Sequence, residues 1–477
     1  MKVLHIGAEC YPAAKAGGLG DVAGALPKYL SENGCPAAVI IPKYHTKWIV
    51  NQTWKTCLEG QFPLGYEPIR FSIQELQGRN LGFPLYVVDI PGKFDRTSIY
   101  LDIQTGKGYA DELERNLSFQ QAVLHWIKQL DKLPTVIHCH DQHTGLIPFM
   151  IKYCPVFKRL ASIPTIFTIH NAAYHGAFGW EQVHKLPLYD GRQGGLIDWD
   201  KAINPLAAAI KNCWRLTTVS PSYMLELQET AGNLAPLLVH ENAKSIGILN
   251  GIDIQVWNPK TDIFLNSNLK RSIKTFKKKN KEGLRDKFPI QSDLPLITFI
   301  GRLAGEKGAD LLAPMIDRFF YKGGQASFII LGTGDPQLHT TLKHLASRYR
   351  RNVHVALEYN EGLAHQLYAG SDFLVMPSKV EPCGLNQMYA MRYGTVPIVR
   401  GVGGLKDTVI DLNEDGGRGI QFKDLTPEDA SYALIRAVDA YSNQAQFEAV
   451  RNRIMTIDFS WQNAANQYID LYDSVAH

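Results

Sequence analysis

The chain has 477 residues, 45% of them hydrophobic and 20% charged, a size and composition that suit two or three globular domains with ordinary cores. A net charge of +4 is too small to call for a nucleic-acid partner, but it suits an anionic small ligand. No apolar run reaches the roughly 18 residues of a membrane span and no leader pattern precedes the first strand; the seven scattered cysteines (10, 35, 57, 139, 154, 213 and 383) form no C-x-x-C pair, so a reducing, cytoplasmic setting without disulfides or zinc is expected.

The elements read as follows in chain order. Val3-Leu4-His5-Ile6-Gly7 predicts a buried first strand, and Val22, Leu26 and Leu30 recur on one face of a helix after it. Further strands are predicted at 37–42, 85–90, 135–140, 165–170, 216–220 and 245–249. These are continuous apolar runs rather than alternating ones, as in parallel sheets covered on both faces. After Asn250-Gly251-Ile252-Asp253, a polar stretch leads to Lys277-Lys278-Lys279-Asn280-Lys281, read as one solvated helix face. A second strand series follows at 294–300, 327–331, 353–357, 373–376 and 396–399, and a helix from about Trp461 carries Ala465, Tyr468, Ile469 and Tyr472 on one face. The expectation is two doubly wound α/β domains with a cleft between them.

Candidate functional residues stand just after these strands, where open α/β sheets place ligands. Lys15-Ala16-Gly17-Gly18-Leu19-Gly20-Asp21 joins the first strand to a helix start. Glycines let the backbone approach an anion, free N–H groups donate to it, and the lysine adds a full charge. Gly403-Gly404-Leu405-Lys406-Asp407 repeats the Gly-Gly-Leu-x-Asp turn in the second half. Arg302 and Lys307, in Gly301-Arg302-Leu303-Ala304-Gly305-Glu306-Lys307-Gly308, flank a tight turn and together match a diphosphate; the plain alternative is a surface loop with two solvated cations. In Glu381-Pro382-Cys383-Gly384-Leu385, the glutamate could accept sugar hydroxyls while neighbouring N–H groups donate, and the plain alternative is a helix N-cap. Cys383 has no identifiable base beside it, so a packing or sugar-contact role is preferred over a nucleophile. His140-Asp141-Gln142-His143 and His170-Asn171 end two strands. Their spacing does not favour a metal, and Asp141 with His170 is read as a hydroxyl-binding pair. Tyr359 either stacks on a base or packs half-buried.

Taken together, Lys15-Ala16-Gly17-Gly18-Leu19, Thr168-Ile169-His170-Asn171, Gly247 to Asp253 with Trp257-Asn258-Pro259, Arg302 with Lys307, and Pro377-Ser378 through Tyr389 resemble the glycogen/starch synthases of glycosyltransferase family 5, in the same order over essentially the whole chain. The resemblance implies a GT-B fold, with two Rossmann-like domains facing a central cleft: 1–255 on the acceptor side, with a helix of about 459–477 crossing back onto it, and 256–458 binding the nucleotide sugar. It implies retaining transfer of glucose from ADP-glucose to the non-reducing 4-OH of an α-1,4-glucan, with no cofactor, no metal, no nucleic acid and no membrane. On these positions Lys15, Gly17 and Gly18 would contact donor phosphate, with Gly403 and Gly404 as the second such turn, and Arg302 and Lys307 would hold the diphosphate. Asp21, Asn250 and Glu381 would surround the donor sugar, and Asp141 and His170, beside Asn171, would lie at the reacting centre. Cys383, Gly384 and Leu385 would give backbone contacts to glucose, and Tyr359 would sit against the base. The catalytic set is then Glu381, His170, Asp141, Lys15, Arg302 and Lys307.

Three positions depart from the family pattern. Ala16 stands where valine or threonine is usual, Gln142 stands where tryptophan is common, and Tyr389 replaces the second glutamate of wider retaining transferases, a loss usual in family 5. The rivals are another GT-B transferase with a different donor or acceptor, a pyridoxal-phosphate phosphorylase, a non-catalytic glucan binder and a dinucleotide oxidoreductase. For the last, the first turn lacks a clean G-x-G-x-x-G.

Overall fold

The computed structural model describes residues 2–103 and 105–476. The chain divides into two compact units, Met1–Asn250 with Trp461–His477, and Gly251–Ser460.

In unit 1 the strands are β1 (Val3–Ile6), β2 (Ala37–Pro42), β3 (Thr53–Leu64), β4 (Glu67–Gln77), β5 (Leu85–Asp89), β6 (Val136–His140), β7 (Thr165–Ile169), a small pair β8 (Asp198–Trp199) and β9 (Ala202–Ile203), then β10 (Arg215–Thr218) and β11 (Ser245–Gly247). The main sheet runs β11-β10-β7-β6-β1-β2-β5-β4-β3. Strands β1, β2, β5, β6, β7, β10 and β11 pair in parallel, and β1, β2, β6 and β7 are buried along their whole length, which explains their unbroken apolar runs. One expectation is corrected. Residues 53–77 form a long antiparallel hairpin at the edge of the sheet, β3 on β4 and β4 on β5, not a helix-linked parallel unit. The helix Gly18–Glu32 buries Leu19, Val22, Ala23, Leu26 and Leu30, and the helix Trp461–Asp473 packs on it through Trp461, Ala465, Tyr468 and Tyr472.

In unit 2 the strands are β12 (Leu296–Ile300), β13 (Ser327–Leu331), β14 (Val353–Ala356), β15 (Phe373–Met376), β16 (Val396–Arg400) and β17 (Ile420–Phe422). The sheet is parallel throughout in the order β14-β13-β12-β15-β16-β17. Renumbered within the unit this is 3-2-1-4-5-6, the doubly wound order of dinucleotide-binding sheets.

The second correction concerns the basic run. On the helix Ile273–Arg285, Lys278 and Lys279 face solvent, whereas Lys277 and Lys281, four residues apart, are buried. Lys277 Nζ donates to Tyr368 O at 3.1 Å, Tyr393 O at 3.2 Å and Thr395 Oγ1 at 2.6 Å. Lys281 Nζ donates to Asp372 Oδ2 and Leu294 O, and Arg451 also pairs with Asp372. Acceptors surround both lysines; Lys281 has the Asp372 carboxylate as its counter-ion, whereas Lys277 faces only uncharged oxygens and burial holds it well below the usual lysine range.

Candidate active site

In an open parallel sheet the crevice forms where neighbouring strands send their connections to opposite faces. In unit 1 that switch lies between β1 and β6, and in unit 2 between β12 and β15. Most of the candidate residues fall on the segments leaving these strands; His170 and Asn171 follow β7, Asn250 follows β11, Tyr359 follows β14, and Gly403 and Gly404 follow β16.

After β1 the chain returns as Lys15–Gly18 into a helix N-terminus. Gly17 and Gly18 are exposed, and a methyl group on Gly18 would touch nothing within 4 Å. Lys15 Nζ pairs with Asp21 at 2.6 Å and lies over the Tyr11 ring. The expectation of free turn N–H groups is revised for two residues. Ala16 and Gly17 donate to Glu9 Oε2 at 2.6 and 2.8 Å, while the Tyr100 hydroxyl donates to Glu9 Oε1 at 2.5 Å. Glu9 is 2% exposed, and its carboxyl group shapes the turn by accepting from these three donors. Its signal in the sequence was a lone carboxylate just past a buried apolar strand.

After β6, Asp141 takes φ +56°, in the left-handed region where short polar residues are tolerated. Its carboxyl Oδ1 accepts from the backbone N–H of His170 at 2.7 Å and of Asn171 at 3.4 Å, tying the ends of β6 and β7 together. Burial pushes the Asp141 carboxyl up to about 7, only partly offset by those N–H donors. Asn250, which precedes the boundary with unit 2, is buried, and its amide oxygen has no hydrogen-bond partner among the described residues. Gln142 is also buried and lines a cavity of about 220 Å³ with Glu112, Asn116, Gln120 and Phe178.

Behind Asp141 stands a group of imidazoles, in which the strand-ending His140 and His170 are joined by His5 and His138, two residues the sequence pattern did not single out. His170 Nε2 meets His140 Nδ1 at 3.0 Å, and His140 Nε2 meets His5 Nδ1 at 3.0 Å. His138 stacks on His140 with ring centres 4.2 Å apart and bonds to Tyr472 and Thr168 at 2.7 and 2.6 Å. Burial lowers His5 and His170 to about 3 and holds His138 and His140 well below the ordinary imidazole range, so the group is neutral. Nitrogens of His5, His138 and His140 lie within 4.8 Å of one another. A metal shared by them would have to displace these hydrogen bonds.

In unit 2, Gly308 at φ +67° lets the Lys307 turn close on the segment after β15, where a methyl group would sit 1.8 Å from Pro377 O. Lys307 is thereby delivered to Glu381, donating to both carboxylate oxygens at 2.8 and 2.7 Å, and Ser378 Oγ donates to the same carboxylate at 3.0 Å. Glu381 is buried and is not a helix cap, since the next helix, Asn386–Arg392, is preceded by Leu385. Arg302 is exposed and paired with Glu306. Gly403 and Gly404 are buried against the Glu381–Cys383 backbone, leaving 2.1 Å from each hypothetical methyl to Glu381 O and Cys383 O. They brace the glutamate turn from behind. Cys383 and Gly384 are buried beside it, Gly384 at φ +72°, and Leu385 is half-buried. Tyr359 is 84% exposed, so the half-buried packing alternative is not what the structure has.

The sites therefore hold a carboxylate–ammonium–hydroxyl cluster in unit 2, and an open glycine turn with a buried acid and neutral imidazoles in unit 1. Residues 2–240 match the family described as starch synthase catalytic domain, and residues 280–450 match glycosyl transferases group 1. The chain is 43% identical to a glycogen synthase of Flavobacterium johnsoniae, covering 100% of this chain and 99% of the relative, and 37% identical to one of Geobacillus thermodenitrificans, covering 100% and 98%. It superposes on the catalytic domain of starch synthase IV from Arabidopsis thaliana, solved bound to ADP and acarbose, with a TM-score of 0.87, 32% identity and 99% coverage of each chain. A sucrose-phosphate synthase from Thermosynechococcus elongatus, 16% identical with a TM-score of 0.62, shares the fold. With relatedness along its full length and Rossmann-like sheets in both units, the chain belongs to the glycogen/starch synthase family of glycosyltransferases and has the GT-B fold.

Proposed function

We propose that the protein transfers glucose from ADP-glucose to the non-reducing 4-OH of an α-1,4-glucan, with retention of configuration and without a metal or cofactor. The observation that carries this reading is the Lys307–Glu381–Ser378 cluster at the switch point of unit 2. Departure of a diphosphate is the hard step, and preformed cations stabilise the charge it develops. Lys307 and Arg302 are assigned to that charge, and the Lys15 turn, with the helix N-terminus at Gly18, is assigned to donor phosphate. When the diphosphate draws on Lys307, Glu381 is freed to accept hydroxyls of the donor sugar. No carboxylate pair of the kind glycosidases use is assigned to the reaction. Front-face attack, with the leaving diphosphate taking the acceptor proton, fits such a set of groups. The seven cysteines are free thiols, and no helix among the described residues is long and apolar enough to cross a membrane, which supports a cytoplasmic setting.

The deciding experiment is initial-rate glucose incorporation into glycogen from ADP-glucose and from UDP-glucose at equal concentration, with a chelator present. Incorporation from ADP-glucose alone supports the reading; incorporation only from UDP-glucose keeps the chemistry and overturns the donor; none from either, in folded protein that binds glucan, overturns the reaction. Glu381→Ala and Lys15→Ala are each expected to lose about 100-fold or more in kcat/KM with circular dichroism unchanged. Near-normal turnover in either variant removes that residue from the scheme.

A further inference from the structure

The imidazoles of His5, His140 and His170 form a chain whose proton positions are not independent. Each ring is neutral, with one N–H and one bare nitrogen. His140 uses both nitrogens, Nδ1 with His170 and Nε2 with His5. Its single proton therefore fixes the sense of both bonds. In one sense protons point toward His5, which then carries N–H on Nε2; in the other they point toward His170, and His5 Nε2 is bare.

The end of the chain decides between them. His5 is 1% exposed, and its Nε2 is buried without a hydrogen-bond partner. A buried orphan N–H is rarer and more costly than a buried acceptor left bare. The favoured sense is thus His5 Nδ1–H to His140 Nε2 and His140 Nδ1–H to His170 Nε2. His170 must then carry its own proton on Nδ1, which has no partner among the described residues but, unlike His5 Nε2, is not among the nitrogens sealed from solvent.

We propose that His5 and His140 are positioning residues that lock His170 as the Nδ1–H tautomer, so that it meets substrate as a hydrogen-bond donor to an oxygen and not as a proton acceptor. The tie to substrate rests on the proposed transfer reaction and on the place at its reacting centre that the family resemblance implies for His170; the lock itself does not. The second layer supports it. His138 stacks on His140 and is itself held between Tyr472 and Thr168, so the His140 ring has little freedom to turn.

The test uses the full chain labelled with nitrogen-15 at histidine. Long-range proton–nitrogen spectra at pH 7.5 distinguish the two tautomers, and His170→Asn assigns the His170 signals. The expected result is Nδ1–H at His170, the form that free histidine disfavours. Nε2–H there overturns the proposal, and this spectrum needs no other variant to fold. His140→Leu removes the donor, whereas His140→Asn keeps an N–H close to the Nδ1 position. The leucine variant is expected to return His170 to Nε2–H and to lose about tenfold in kcat/KM, with the asparagine variant restoring both. An unchanged His170 tautomer in His140→Leu overturns the coupling. A tautomer change with transfer unaffected keeps the lock and overturns the link between His170 and the reaction.

Discussion

Both units are doubly wound sheets with a site at the switch point, yet they bury polarity in opposite ways. Unit 1 fills its core behind the site with neutral rings, His5, His138, His140 and His170. Unit 2 buries charge, with Asp372 accepting from Lys281 and Arg451. A neutral network depends on pH, because protonating any member adds an unpaired buried charge. A charged network depends on completeness, because removing one member strands the others.

The largest effect expected from this contrast is acid sensitivity concentrated in unit 1, with the half-buried His354 the one imidazole lowered among the described residues of unit 2. An imidazole whose folded pKa is lowered binds fewer protons than the same group in the unfolded chain. Its stability contribution is therefore full above about pH 6.5 and lost as pH falls toward the folded value. With four such rings, unit 1 should lose on the order of 5 kcal/mol by pH 5, reduced somewhat by Asp141, which gains a proton over the same range. In unit 2, Asp372, Asp262 and Asp411 have lowered pKa values, so their contribution persists until pH falls below about 4. Hydrogen exchange of β1, β6 and β7 should accelerate between pH 6.5 and 5 while β12, β13 and β15 stay protected; equal acceleration would erase the contrast.

Asp372→Ala inverts it. Losing the shared carboxylate leaves Lys281 and Arg451 buried without their partner, at a cost of about 3–5 kcal/mol in urea unfolding followed through unit 2. Asp141→Asn sharpens it in the other direction. The folded state holds an extra proton on Asp141 from about pH 4 to 7, so ionisation above pH 7 is a full penalty. The amide keeps an oxygen for the His170 and Asn171 N–H groups. Stability at pH 8 should rise on the order of 2–4 kcal/mol, and the gain should vanish near pH 4. The smallest effect separates neighbours on one helix: Lys279→Ala should stay within about 0.5 kcal/mol, whereas Lys281→Ala should cost about 3 kcal/mol.

The same contrast explains what could be read in advance. Parallel strands such as Ile297–Ile300 are apolar on both faces and announce themselves, and the site motifs follow because open sheets expose their strand ends. The hairpin at 53–77 escaped because its outer strand is largely exposed and carries Gly60 and Pro63 within a polar run. The lysine run misled because residue type suggested solvent, while the i, i+4 spacing of Lys277 and Lys281 placed them on the covered face. Glu381 and Lys307 were each legible as motif residues. Their direct pairing was not, since it spans 74 positions and is set by how two loops pack. His5 and His138 lie inside strands, where a histidine has no neighbour in sequence to reveal its partner in space, and the bond between His140 and His170 spans 30 positions.

The helix Trp461–Asp473 closes the core of unit 1 after the whole of unit 2 has intervened, and His138 bonds to the Tyr472 hydroxyl that this helix brings. During synthesis the first 250 residues thus emerge without the surface that covers Val22, Leu26 and His138. Unit 2 is continuous in sequence and needs no later segment to complete its own core. Unit 1, translated first, completes its native core last, and until then the apolar face of its first helix stays uncovered and open to misassociation.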